Sequence, residues 1–267
     1  MSDDLIARPV DTSGGVPPSR GRRALDIAGA LTGLLLLSVP LALIYLLVRL
    51  TSRGPGIFRQ TRVGQGGRPF TIYKFRTMRR NAGGIKVTAT SDPRVTRLGR
   101  LLRRFYLDEL PQLMNVLRGD MTLVGPRPET YDLAVYYEAR WRWIFDHRPG
   151  MTGTSQVRFR DSDVLPPGEE VDLAFYVRRL APAQAAVDAV YLRDPSMRAT
   201  LRTLAQTVWY VLGFTVPPLR VSADGKVTEA APPSDTASSD TASSDTAPSD
   251  TAPSDIGRPA GESGSAA

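Results

Sequence analysis

The sequence predicts a mostly α-helical protein of the α+β class: a re-entrant membrane helix-break-helix, surface amphipathic helices and a small β-hairpin. Three observations carry that expectation. Ile27 to Val48 is a run of 22 residues without a charge, with Pro40 inside it. Several later stretches repeat their apolar residues with helical period. Strand-like residues pair in one place, Ile57-Phe58 and Phe70 to Tyr73, around a Gly64–Gly67 turn.

Residues 1–19 are polar, contain Gly14-Gly15 and Pro17-Pro18, and read as a disordered lead-in. The uncharged run that follows is long enough to span a bilayer. It is too long for a cleaved signal peptide, and no small-residue cleavage site follows it. It is therefore expected to stay in the mature protein at a membrane. Arg20, Arg22 and Arg23 flank one end, and Arg49, Arg53, Arg59 and Arg62 flank the other. With basic residues on both sides, the positive-inside rule gives no orientation. Pro40 removes a backbone donor and crowds the preceding turn, so a helix broken there can dip into one leaflet and return. A kinked spanning helix accommodates the same residues, and charge and Pro alone leave both readings open.

Gly54-Pro55-Gly56 turns the chain into the hairpin, and Asn81 to Asp92 reads as a mobile loop. Val95 to Leu107 has helical period: Val95, Leu98, Leu101, Leu102 and Phe105 share one face, and Arg97, Arg100, Arg103 and Arg104 the other. Such a helix suits an anionic membrane surface, or equally a core with a solvated basic face. Leu110, Leu113, Met114 and Leu117 mark a second, short helix. Tyr131 to Phe145 is expected as a third, carrying Tyr131, Tyr136, Tyr137, Trp141, Trp143 and Phe145, which suit head-group depth or ordinary packing. After a turn at Pro149-Gly150, helices are expected near Leu173–Leu192 and Ser196–Leu212. From Ser234 to Pro253 the chain repeats Ser-Asp-Thr-Ala plus Ser or Pro four times. Such a tail buries too little apolar area to offset its ordering entropy.

The net charge of +7 averages unlike parts. Residues 222–267 carry two basic and eight acidic groups, whereas Arg49 to Arg104 carries fifteen basic groups and the single acid Asp92. A field that concentrated implies an anionic partner: nucleic acid, phospholipid head groups or a phosphorylated substrate. There is no Cys, and His147 is the only His. That excludes disulfide scaffolds, thiolate metal sites and multi-His clusters. Chemistry is left to carboxylates, Arg and Lys, with room for an oxygen-liganded cation.

Two stretches are candidates for it. In Leu107-Asp108-Glu109-Leu110-Pro111-Gln112-Leu113, Asp108 sits where an N-cap is expected, and Pro111 falls in a first turn. A capping Asp with a dipole-complementing Glu is one reading. The other takes the basic setting into account: Asp108 as a nucleophile toward a phosphoryl group, with Glu109 ligating Mg²⁺ or handling a proton. Gln112 is expected to be replaceable by Ala without loss of fold. In Gly125-Pro126-Arg127-Pro128-Glu129, two prolines hold Arg127 on a stiff backbone, which suits forked binding of phosphate as well as a plain surface turn. Arg62, Lys74 and Arg76 on the hairpin, with Arg104 beside the acidic pair, complete the phosphate-binding candidates.

Taken in order, these motifs resemble the bacterial sugar transferases, the monotopic polyprenyl-phosphate phosphoglycosyl transferases that start surface polysaccharides and glycoconjugates. The likeness runs from about Arg22 to Gly213. It includes a basic pair and Asp26 before the apolar segment, GPGIFRQTRVG at 54–64, YKFRTM at 73–78, LDELPQLMNVLRGDMTLVGPRPE at 107–129, PGMTG at 149–153 and Gln156-Val157.

The resemblance implies transfer of a sugar 1-phosphate from a nucleotide diphosphate sugar to undecaprenyl phosphate, with release of a nucleoside monophosphate. It implies Asp108 as covalent nucleophile, Glu109 assisting, and Mg²⁺ held by Glu109 and Asp108. It implies Arg127 and Arg160 at family arginine positions, and a helix break at Ser38 and Pro40, which favours the re-entrant reading. It places residues 20–50 in the membrane, a catalytic domain of residues 51–221 on the cytoplasmic face of the bacterial inner membrane against anionic lipids, and a tail from 222 to 267. No nucleic acid partner is implied.

The chain departs from the family pattern in three places: Val39 separates Ser38 from Pro40, Thr154-Ser155 replaces Trp-Ala, and Arg158-Phe159-Arg160 replaces Asn-Gly-Arg. The alternative is a membrane-tethered nucleic-acid-binding or scaffold protein. Phe58, Phe70, Tyr73 and Phe75 fit no RNA-binding signature, and a scaffold leaves the acidic pair unexplained.

Overall fold

The computed structural model describes residues 15–79, 94–158, 173–217, 219–221 and 227–229, all within one unit, Met1–Ala231. The start of the expected lead-in, the 81–92 loop, Arg160 and the repeat tail lie outside the described residues.

Ser19 caps α1 (Arg20–Leu36), its side chain accepting from the Arg22 amide at 3.4 Å. After Leu37 the chain continues as α2 (Ser38–Thr51), bent 65° from α1. The break lies three residues before Pro40, where the sequence suggested it. The reason is local. Pro40 has no N–H for the carbonyl one turn back, and its ring crowds that carbonyl, so the ladder fails before the proline while Pro40 itself sits in a tolerant first turn. Ser38 Oγ donates to the Leu35 carbonyl at 2.8 Å and closes the bend. Among the described residues no single helix is long and apolar enough to cross a membrane; α1 and α2 reach that only as a bent pair.

One side of this pair packs inward: Ala30 joins Leu113, Val116, Met121 and Ile72, and Val48 joins Phe75 and Leu102. The other side is bare. Leu35, Leu36 and Val39 at the bend are 66–76% exposed, and Leu43, Leu46, Leu47 and Leu50 are exposed beyond it. The charged start of α1 is fastened to the body. Asp26, 1% exposed, accepts from Thr122 Oγ1 at 2.8 and 2.9 Å and from the Leu123 amide at 2.8 Å. Arg23 donates to the Val116 and Leu117 carbonyls at 2.7 and 2.8 Å. Asp26→Ala would strand two buried donors. It is expected to destabilise the fold by about 2–4 kcal/mol, read as a lowered denaturation midpoint, whereas Asp26→Asn retains part of the contact.

The expected hairpin forms as β1 (Ile57–Val63) and β2 (Pro69–Phe75), antiparallel, with Thr61 opposite Thr71. Val63, Ile72 and Phe75 are buried. The basic helix is shorter than its periodicity suggests: α3 spans Arg97–Arg104, with Thr96 Oγ1 accepting from the Gly99 amide at 2.9 Å. Its apolar stripe divides, since Leu102 is buried while Leu101 and Phe105 are exposed. It stops because Tyr106 turns left-handed, φ 56°, a conformation rare for a residue with a bulky side chain.

A 3₁₀ turn, Leu107–Gln112, follows and runs into α4 (Leu113–Arg118). The turn's cap position is Tyr106, so Asp108 lies inside the turn and not at the cap that the sequence suggested. β3 (Thr122–Val124) then pairs in parallel with β4 (Gly150–Thr152), a pairing absent from the sequence expectations.

The single helix expected over Tyr131–Phe145 is broken into α5 (Tyr131–Ala134) and a 3₁₀ turn, Ala139–Asp146. Packing overrides period here. Tyr137, Trp141, Ile144 and Phe145 all face the main core, Tyr137 and Phe145 edge to face at 5.0 Å, while Tyr136 stays exposed. The other side of that core comes from α7 (Leu173–Phe175), a π-helical turn Tyr176–Leu180 and α8 (Ala181–Arg193), with α6 (Thr154–Arg158) packed on α8. α9 (Met197–Val211), capped by Ser196, follows. Two short strands, β5 (Leu219–Val221) and β6 (Val227–Glu229), pair antiparallel, so ordered structure reaches into the region expected as tail.

Candidate active site

Three elements meet around the acidic pair. The 3₁₀ turn packs against β2, which brings Lys74 to Glu109: Nζ and Oε1 are 2.6 Å apart, both side chains largely buried. The Gly125-Pro126-Arg127-Pro128 turn approaches from the other side. It is held by the β3–β4 pairing and by the Gly150 amide, which donates to the Pro126 carbonyl at 2.8 Å. Gly150 cannot carry a side chain there, because a Cβ would collide with the Gly125 backbone. From β1, Arg62 donates to the Pro128 carbonyl at 3.1 Å and to Gln60 Oε1 at 2.8 Å. Arg62, Lys74, Glu109, Gln112, Arg127 and Gln156 thereby line one small polar pocket.

Asp108, only 8% exposed, sits beside it. Burial, and then the neighbouring Glu109 charge, push its pKa from 3.8 to about 6, against the pull of Lys74 and Arg103. Glu109 goes the other way. Burial alone would raise it, but Lys74 and Arg127 hold it below the ordinary glutamate value. The pair is thus split, Glu109 held below its ordinary value and Asp108 pushed up to about 6, a separation of the kind used in acid–base and nucleophilic sites. Glu129 is buried behind the arginines. Its pKa is raised by that burial and partly restored by Arg127 and Arg62.

Not every candidate converges. Arg76 points away: it donates to Ser52 O and Oγ at 2.7 Å and to the Pro55 carbonyl, clamping the end of α2 onto β2. Arg104 is exposed and lies against the Phe105 ring, 5.7 Å from its centroid. Arg160 lies outside the described residues. Conversely, Gln112, which the sequence marks only as replaceable without loss of fold, is 1% exposed and lines the pocket. Arg103, read as part of a basic face, donates to Thr77 Oγ1 at 2.9 Å and bears electrostatically on Asp108. Its signal was its position, five residues before the acidic pair.

Among the described residues no group of three or more His, Cys, Asp or Glu could hold a metal. Asp108 and Glu109 offer at most two carboxylates, and Lys74 already occupies one Glu109 oxygen. That donor set fits Mg²⁺, which commonly takes one or two carboxylates and completes its shell with water and substrate phosphates.

A family model described as bacterial sugar transferase matches residues 18–214. The exopolysaccharide production protein PSS of Rhizobium leguminosarum bv. phaseoli is 43% identical over 196 residues, 70% of this chain and 92% of that protein. The UDP-glucose:undecaprenyl-phosphate glucose-1-phosphate transferase of Caulobacter vibrioides is 48% identical over 142 residues, 51% of this chain. An Escherichia coli transferase of the same description is 44% identical over 145 residues, also 51% of this chain. The chain spans 53% of the Caulobacter protein's length and 30% of the Escherichia coli one.

Proposed function

Because the chain belongs to the bacterial sugar transferase family, we propose that it transfers a sugar 1-phosphate from a nucleotide diphosphate sugar to undecaprenyl phosphate, releasing a nucleoside monophosphate. The carrying observation is the convergence of Lys74, Glu109, Arg62 and Arg127 on one pocket beside a buried Asp108. A phosphoryl group needs cationic donors around its oxygens and a nucleophile in reach, and that arrangement supplies both.

The reaction proceeds in two displacements. An Asp108 carboxylate oxygen attacks the phosphorus that bears the sugar, and the bond from that phosphorus to the bridging oxygen of the nucleotide breaks. Nucleoside monophosphate leaves and an aspartyl phosphosugar remains. A phosphate oxygen of undecaprenyl phosphate then attacks the same phosphorus, the bond to Asp108 breaks, and the carboxylate is restored. Arg62, Arg127 and Lys74 orient the diphosphate and offset its charge. Glu109 and Asp108 would hold Mg²⁺, which supplies further charge neutralisation when bound.

The exposed apolar bend of α1 and α2 enters one leaflet and returns, and anionic lipids meet the basic surface. In this reading the site lies at head-group depth on the cytoplasmic face of the cell membrane, supported by the bent apolar pair. The alternative of a nucleic-acid-binding or scaffold protein gains no support from the relatives.

Turnover requires ionised Asp108. Its pKa near 6 gives an acid limb: kcat/KM is expected to be level above about pH 7 and to fall about tenfold per unit well below pH 6. A pH profile with no break between 5 and 7 would assign the nucleophile elsewhere. The assay of the reaction itself screens nucleotide sugars for nucleoside monophosphate release that depends on both Mg²⁺ and undecaprenyl phosphate. Lack of release from every nucleotide sugar tried would contradict the proposal.

A further inference from the structure

We propose that the protein carries a second anion site, separate from the carboxylate pair and suited to a small soluble phosphomonoester. A cavity of about 290 Å³ lies where residues 16–19 cross the start of α1 and meet the segment before β4. Arg22, His147 and Arg148 line it, together with the Ser19 and Thr122 positions and the Gly125 backbone. No carboxylate is among its lining residues. Acidic groups stand outside the lining: Asp26, engaged by Thr122 Oγ1 and the Leu123 amide, and Asp120 both act on Arg148, Asp146 acts on His147, and Asp194 precedes Pro195 in the chain.

Arg22 makes this a built site. The residue is 6% exposed, with Nη2 donating to the Val124 carbonyl at 2.9 Å and the guanidinium 5.4 Å from the centre of the Tyr191 ring. Among the described residues its Nε has no hydrogen-bond partner, and burial keeps that atom out of the cavity; what Arg22 brings to the lining is its charge. Among the described residues Arg148 makes one hydrogen bond, Nε to Gln65 Oε1 at 3.3 Å, and lies in the field of Arg23, Asp26 and Asp120. Two guanidinium groups, an imidazole and the Ser19 hydroxyl, with no carboxylate in the lining itself, suit a phosphate group. Val16, Pro17, Pro18, Leu192 and Pro195 supply the apolar wall for the rest of the ligand.

The location gives the site a consequence. Gly125, in its lining, begins the turn that carries Arg127 into the active site, and the Gly125 amide donates to the Thr152 carbonyl at 2.9 Å. A ligand bound against Gly125 braces that turn, so occupancy here and substrate binding at Arg127 are linked and reciprocal. The binding claim itself does not depend on the proposed reaction.

The test titrates the full-length protein, in neutral detergent at constant ionic strength, with inorganic phosphate and with glucose 1-phosphate, following the thermal midpoint. A saturable rise is expected in the wild type, in Asp108→Asn and in Lys74→Met. Arg148→Gln and His147→Gln, each checked for native circular dichroism, should weaken it about tenfold. Unchanged affinity in both of these variants overturns the site. So does loss of the effect in Lys74→Met, which assigns the phosphate to the catalytic pocket. A rise with phosphatidic acid in the micelle but with neither soluble phosphate makes the ligand a lipid head group and also overturns the proposal.

Discussion

Asp108→Asn is expected to lower transfer by three or more orders of magnitude while making the protein more stable. Asparagine keeps the volume and a hydrogen-bonding oxygen but cannot form the acyl phosphate, and losing a covalent nucleophile typically has effects on that scale. The stability gain follows from the raised pKa. In the folded state Asp108 titrates at about 6 against an ordinary value of 3.8, so the folded protein holds this proton more tightly than the unfolded chain. The fold is therefore most favoured below the unfolded value. It loses that advantage as pH rises from about 4 to about 6, and is flat above. At pH 7 the native state carries a buried carboxylate disfavoured by about 1–3 kcal/mol, which Asn relieves. A variant that loses both activity and stability would mark Asp108 as a structural residue. One that gains stability and keeps turnover would move the chemistry to another group.

The second large effect is expected at Arg127. Arg127→Gln removes a charged fork aimed at the pocket, and losses of one such stabilising donor commonly reach about 10²–10³ in rate. The same change releases Glu109, whose low pKa depends on Arg127 after Lys74. The acid limb of the pH profile should therefore change shape as well as height. Arg104→Gln provides the contrast. Arg104 is exposed on α3 and outside the pocket lining, and its replacement is expected to change kcat/KM by less than about threefold with soluble substrate. Equal losses at the two positions would mean that the basic field acts as a whole, without a specific role for the proline-flanked turn.

The local pattern carried a good part of this. Strand residues either side of Gly64–Gly67 formed the hairpin, Ser196 capped the helix expected after it, and the acidic pair stood out from its basic setting, while Arg127 suited a plain surface turn as well as a phosphate. Long-range packing remained hidden. Nothing in the period of Tyr131 to Phe145 reveals that Tyr137 and Phe145 must face one another across a broken helix. The parallel pairing of Thr122 with Gly150 joins residues too far apart in sequence for any turn signal.

Side-chain destinations were equally hidden. Lys74 on β2 and Arg76 just past its end are two residues apart with similar charge. One reaches Glu109 and the other clamps the end of α2, a division set by the contacts each finds. Gln112 looked incidental because a neutral amide carries no charge signal, yet it is buried and lines the pocket.

The covalent intermediate is the central claim, and intact-mass spectrometry tests it directly. Purified enzyme would be incubated with nucleotide sugar and Mg²⁺ in the absence of undecaprenyl phosphate, then quenched and weighed. A mass increase of one phosphosugar is expected, mapped to the peptide containing Asp108, absent in Asp108→Asn and discharged when undecaprenyl phosphate is added. A nucleotide sugar that the enzyme demonstrably turns over, yet that leaves the protein mass unchanged under single-turnover conditions, would contradict the two-step mechanism.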